Sequence, residues 1–177
     1  MGEIAGRAGV VASVIYDHFG SKRELHIELI RLHGEGLIAR SITAISVDSP
    51  ETMLRESLDA YFRLVEEDRF AWRFLFRDPP ADPEIAAIWG EIHDRATAGI
   101  AALIGLGAPD IGAGLGIPTE RATWMLAKLS QSGANGLAQW WYEHPEVPRS
   151  ELVELSLRAL WGGFAGMVNE PAPNATR

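Results

Sequence analysis

The sequence predicts an all-α fold, and three observations carry that prediction. Between its proline and glycine marks, almost every stretch repeats apolar residues at helical spacing. No stretch shows the strict alternation of a half-buried strand. One helix-start signal, an oxygen-bearing cap followed by proline and an acid, occurs twice, at Ser49, Pro50 and Glu51 and again at Asp82, Pro83 and Glu84.

Composition narrows the function classes. With 177 residues, 47% hydrophobic and 23% charged, the chain is long enough to bury a substantial core without disulfides or a structural metal. It has no cysteine, which removes thiolate catalysis and Cys-based zinc sites and suits a reducing cytoplasm. Its first ten residues lack the basic and apolar regions of a secretory signal, so a cytoplasmic location is expected. Segment 122–142 has the length of a membrane span, but it contains Lys128, Gln131, Asn135 and Gln139 and reads as a buried helix of a bundle, with no membrane partner. The net charge is −8, yet residues 1–40 hold five basic and five acidic groups, so the whole deficit lies beyond them. A polyanionic partner is therefore compatible with the N-terminal end only.

The elements follow in order. Residues 3–25 read as a helix, a tight turn, a short helix and a new helix start. Ala5 is small enough for close helix contact, and Gly9 supplies the positive φ of the turn. Val10 and Ile15 lock the two helices, while Phe19 plugs the base. Ser21 with Glu24 three residues later is a capping box. On physical grounds this is a helix-turn-helix, with an ordinary helical hairpin as the alternative. Segment 21–46 carries Leu25, Leu29 and Leu32 on one side and Ile27, Ile30, Ile38 and Ile45 roughly opposite. Glu24, Glu28, Arg31 and Glu35 cover one flank, and solvated His26 and His33 the other. A helix apolar on two faces is what a link between a small N-terminal unit and a larger bundle requires. The expected organisation is therefore a helix-turn-helix region with linking helix at 1–46, a helical domain at 47–170 and a tail at 171–177.

Within the larger domain, Leu54, Leu58, Tyr61, Phe62 and Val65 form the stripe of one helix, and Ile85, Ile88, Trp89, Ile92 and Leu103 that of the next. Stretch 105–116 holds five glycines but neither GxGxxG nor Gly-Lys-Ser/Thr, and it reads as a flexible loop between helices. A third long helix should run from near Thr119 to just before Pro145. A fourth should start with Ser150 as cap and end about Asn169, ahead of Pro171 and Pro173.

Ile4, Ala5, Ala8, Gly9, Val10, Ile15, Tyr16, His18, Phe19, Lys22 and Leu25 stand at a spacing that resembles the TetR family of bacterial transcriptional regulators. The resemblance implies a cytoplasmic homodimer, a repressor in the usual case, which binds operator DNA and is released by a small hydrophobic or aromatic effector. In that reading Tyr16 and Lys22 would contact phosphates, Lys22 together with the amides of the next helix start, and Ser13, Asp17 and His18 would lie nearest base edges. Two departures accompany it. The family's first helix and arm would precede this motif, so the DNA-binding domain is read as lacking that helix, with Ile4, Val10 and Phe19 partly exposed. Val11 also stands where the family usually has Ser or Thr, and residues 11–18 include no Lys or Arg. An effector- or protein-binding helical dimer that has lost DNA recognition is the competing expectation.

The aromatic residues suggest where an effector would sit. Trp72, Phe76, Trp89 and Trp124, with His93 one turn after Trp89 and Lys128 as a cation, are the candidate ligand-binding residues, Phe74 lying beside them. Plain core filling is the alternative for the rings, and snorkelling to solvent for Lys128. Arg69, Arg73 and Arg77 share a helical face and would either grip an anion or pair with Glu66, Glu67 and Asp68 or with the N-terminal unit. Small residues at four-residue spacing, Ser130, Ala134 and Ala138 on one helix and Gly162 and Gly166 on the next, are the candidate dimer interface, with an intramolecular contact as the alternative. No catalytic, cofactor or metal site is expected. The chain has no paired Glu-x-x-His, no HExxH and no GxSxG, and His26 and His33 are about 10.5 Å apart along a helix.

Overall fold

The computed structural model describes residues 1–43, 48–76, 80–113 and 116–169. Among them the chain is all-α, with eight helices and no strand. These are α1 (Gly2–Ala8), α2 (Ala12–His18), α3 (Lys22–Thr43), α4 (Pro50–Glu67), α5 (Arg69–Phe76), α6 (Pro83–Gly107), α7 (Thr119–Glu143) and α8 (Arg149–Asn169). None of these helices is long and apolar enough to cross a membrane. Ile45, Arg77 and the tail from 171 lie outside the described residues.

Local chemistry sets most helix ends. Ser49 Oγ accepts the Thr52 amide at 3.1 Å, and the Asp82 carboxylate accepts those of Glu84 and Ile85 at 3.0 and 3.4 Å, so each proline falls at the start of a helix, where its missing N–H costs nothing. Asp68 separates α4 from α5. Its amide closes the last turn of α4 on Leu64 O, and its carboxylate caps the next helix by accepting the Ala71 amide at 2.9 Å. Two expected boundaries shift. Ser150 already lies inside α8, which begins at Arg149 directly after Pro148, because Pro148 O accepts the Glu151 amide. Gly105 and Gly107 of the glycine-rich stretch still belong to the last turns of α6.

Of the three hydrophobic cores in the larger domain, the smallest joining Ile111, Ala122 and Leu126, two fix the helices around the site. One joins Leu58, Phe62 and Val65 of α4 to Trp72, Ala138, Trp141, Leu152, Val153 and Leu157, and so packs α4 and α5 against α7 and α8. The other joins Ile27 and Ile30 of α3 to Leu64, Leu75, Ile85 and Ile92, drawing the linking helix into the bundle. Gly34 lets α3 cross α6 closely, since a Cβ there would stand 2.7 Å from a carbon of Ile92. The opposite side of α3 is less covered than its sequence implies: Leu25 and Leu29 are half-buried and Leu32 is exposed. His26 and His33 are not simply solvated. Both half-buried rings lie against Phe74, and His33 also meets Phe70.

Candidate functional site

The N-terminal hairpin comes first. Gly9 takes φ 70° and ψ 24° at the end of α1, a left-handed turn that a Cβ would strain. The turn aims α2 back across α1, with Ala5 and Ile15 buried between them. Val11 is the extended residue before α2 and supplies no side-chain cap. Ser13, Tyr16, Asp17 and His18 of α2 and Lys22 at the start of α3 are all exposed. The capping box of α3 forms with a variation. Ser21 Oγ accepts the Glu24 amide at 3.1 Å, while the Glu24 carboxylate returns to the Gly20 amide at 2.8 Å instead of that of Ser21. Ile4, Val10, Val11 and Val14 are exposed, and Phe19 is half-buried.

A cavity of about 150 Å³ opens within the bundle. Its walls are mostly apolar: Leu54 and Leu58 of α4, Phe76 of α5, Ile100 and Leu103 of α6, and Ala134 of α7. Ile38 of α3 completes the lining, so the helix that begins at the N-terminal hairpin also bounds the cavity. The polar groups are few and ordered. Trp72 Nε1 donates to Tyr61 Oη at 2.9 Å, and Tyr61 Oη donates to Asn135 Oδ1 at 2.5 Å. Burial pushes the Tyr61 phenol up, outweighing its bond to Trp72, so it stays a protonated donor. Thr97 Oγ1 is 2.9 Å from Gln131 Oε1 and 2.8 Å from His93 O. Arg95 also lines the cavity and stands 3.5 Å from Glu35 of α3.

Of the ligand residues expected from sequence, Phe76 lines this cavity and Trp72 stands behind it, holding Tyr61. Trp89 and His93 form a close, tilted pair with ring centroids 3.7 Å apart, and His93 meets Phe76 edge to face at 5.0 Å. Trp89 Nε1 donates to Leu75 O at 2.6 Å, which fixes that pair as a wall one layer out. Burial, reinforced by the Lys128 charge, holds His93 below the usual histidine range against the opposing bond to Trp89 O and the Asp94 charge. Trp124 is half-buried and does not line the cavity, and Lys128 is exposed, 3.2 Å from Asp94. Tyr61, Arg95, Gln131 and Asn135 are the lining groups that sequence reasoning missed. A signal existed for two of them: Gln131 and Asn135 stand four apart on a largely apolar helix, yet they count above only against a membrane span.

The other expected sites are placed as follows. Arg69 does not pair with Glu66, Glu67 or Asp68 but donates to Tyr142 O at 2.7 Å, its guanidinium 4.6 Å from the Tyr142 ring centroid; Arg73 is exposed. The small residues expected at a dimer interface on α7 turn inward. Ser130 and Ala134 line the cavity, and fully buried Ala138 packs in the first core. Their size makes room inside one chain. Gly162 is exposed on α8, and the surroundings of Gly166 are outside the description. The outward face of α7 instead carries exposed Met125, Leu129 and Trp140, and that of α8 exposed Leu155.

Two family models match the chain. That of bacterial regulatory proteins of the tetR family covers residues 1–29, and that of the tetracyclin repressor-like C-terminal domain covers residues 50–163. The HTH-type transcriptional activator FasR of Mycolicibacterium smegmatis is 27% identical over 168 residues, which span 93% of this chain and 73% of that protein.

Proposed function

The chain belongs to the TetR family of transcriptional regulators, and from that membership and its cavity we propose a homodimer whose binding to operator DNA is controlled by a small hydrophobic ligand. The observation that carries this reading is Ile38. A ligand held between α4, α6 and α7 touches the helix that begins at the end of the N-terminal hairpin, and α3 is fastened to α6 at Gly34 and Ile92. A ligand that fits one position of α3 better than another shifts the hairpin's population by that difference in affinity and by no more. On the hairpin, exposed Ser13, Asp17 and His18 are available to base edges, and Tyr16 and Lys22 to phosphates. A DNA partner places the protein in the cytoplasm.

The sign of control follows from operator position. A repressor was expected from sequence, whereas the relative FasR is named an activator. A bound dimer blocks or assists transcription according to where its site lies relative to the promoter, so ligand-controlled DNA binding is common to both outcomes. For the dimer, the outward faces of α7 and α8 replace the inward small residues. Met125, Leu129 and Trp140 fall within about 60° of one another around α7, and a second copy would cover them together with Leu155 and Gly162. Leu129→Glu should then shift light scattering from a dimer toward the 19.3 kDa monomer.

The test is a small-molecule screen read by thermal shift, comparing wild type with Ala134→Phe, which fills the cavity. Hits should be lost in the variant, and in wild type they should change the affinity for an operator selected from random DNA. Hits that bind Ala134→Phe unchanged would place the ligand elsewhere.

A further inference from the structure

We propose that the ligand of this cavity is an apolar carboxylate, and that Arg95 receives its carboxylate by giving up Glu35. The proposal rests on the cavity being the ligand site and adds what kind of molecule enters and how α3 is told of it.

Hydrogen-bond accounting sets the polarity of the cavity. An indole N–H can only donate, so Tyr61 Oη must accept from Trp72 and has its single proton left for Asn135. Asn135 Oδ1 is thereby committed as an acceptor, and its amide nitrogen is left as a donor in the cavity wall. Gln131 is adaptable. Thr97 has one hydroxyl proton for two acceptors within reach, His93 O and Gln131, so Gln131 can turn either end inward. Asn135 is thus the one fixed donor among these groups, while the lining hydroxyls of Ser57 and Ser130 donate to Met53 O and Leu126 O and can only accept.

Charge narrows the class further. Arg95 is the one charged residue among the described lining residues. Its ion pair with Glu35 spans 3.5 Å, with both side chains more than half exposed, so water and salt screen it and little holds the two together. A ligand carboxylate can offer the guanidinium two oxygens in a planar fork while its apolar body fills the cavity. Because Arg95 keeps access to solvent, the carboxylate would not need to be fully dehydrated. The exchange reaches α3 directly. Glu35 lies three residues before Ile38, so a bound acid releases one side chain of α3 and presses on another one turn away.

A cavity near 150 Å³ takes roughly one benzene ring, so benzoate and its neutral counterpart benzyl alcohol are suitable probes, titrated calorimetrically at neutral pH. Wild type should bind benzoate about tenfold more tightly than benzyl alcohol. Arg95→Gln should abolish that preference, and a circular dichroism spectrum and thermal midpoint like those of wild type would show that the variant is folded. Glu35→Gln should tighten benzoate about threefold, by removing a competitor for Arg95, and leave benzyl alcohol unchanged. Equal affinities in wild type, a preference that survives Arg95→Gln, or no response to Glu35→Gln would each overturn the exchange and leave the cavity standing as a ligand site. Failure of both compounds to bind would overturn the proposal together with the reading beneath it.

Discussion

The N-terminal hairpin and the helical bundle hide their apolar side chains to very different degrees. The hairpin of α1 and α2 buries Ala5 and Ile15 and leaves Ile4, Val10, Val11 and Val14 exposed, whereas the bundle encloses Phe62, Trp72, Ile30 and Leu75 almost completely. The hairpin owes its shape to local devices, the left-handed Gly9 and the cap at Ser21. The bundle owes its shape to contacts between residues far apart in sequence. The lesson is a division of labour: residues proposed to read DNA contribute little to stability, and residues that hold the ligand cavity open contribute most of it.

The largest test of this division is Phe62→Ala. Phe62 is fully buried where α4 meets α7, edge to face with Trp141, and its loss should cost about 3–5 kcal/mol. Urea unfolding followed by circular dichroism should show one cooperative transition moved to much lower denaturant. A smaller effect is expected at the crossing of α3 and α6. Gly34→Leu must displace Ile92, at about 1–3 kcal/mol, and should weaken the coupling of ligand to DNA binding. Gly9→Ala is the matching change in the hairpin. Nothing crowds that position, so its cost is the backbone strain of a left-handed residue, about 1–2 kcal/mol, confined to a unit whose opening leaves the bundle intact.

The same contrast explains what the sequence makes legible. The hairpin could be read residue by residue, because Gly9 and Ser21 act over one turn of chain and their chemistry is visible in their neighbours. The helices of the bundle were readable as helices, because Ser49 and Asp82 cap them locally and apolar residues recur at the right period. Which face meets which neighbour was not readable. Ser130, Ala134 and Ala138 look like a close-packing stripe for another chain, yet the folded chain turns them onto its own cavity and core, while Leu129 and Trp140 face out. Aromatic content pointed to Trp89 and Trp124, but polar residues inside an apolar helix, Gln131 and Asn135, mark the cavity wall. Only long-range packing decides which of the two a ligand meets.

Acid should weaken the bundle through two half-buried histidines. Burial holds both His93 and His26 below the usual range, so the folded state favours their neutral forms. Their contribution is complete above the unfolded value near 6.5 and declines as pH falls below it, because the unfolded chain then binds protons that the folded chain resists. Thermal melts should show the midpoint falling as pH drops from about 7 toward 5, and His93→Gln should flatten that fall. A midpoint unchanged over this interval would show that neither ring is held neutral.

The smallest effect on global stability is expected from Ile15→Ala, although Ile15 is the largest side chain buried in the hairpin. In a closed core such a truncation costs about 2–5 kcal/mol. The interface of α1 with α2 is short, and the exposed Ile4, Val10 and Val14 around it show how little is sealed. The hairpin should therefore open in a local equilibrium of its own, and the unfolding midpoint of the bundle should change by less than the equivalent of about 1 kcal/mol. Hydrogen exchange separates the two units directly. Amides of residues 12–18 should lose protection in Ile15→Ala while those of α4 and α7 keep theirs, and operator binding should disappear because Tyr16 and Asp17 no longer keep a fixed register. A fall in the bundle's midpoint as large as that of Phe62→Ala would mean that hairpin and bundle unfold as one unit, and the division between them would not hold.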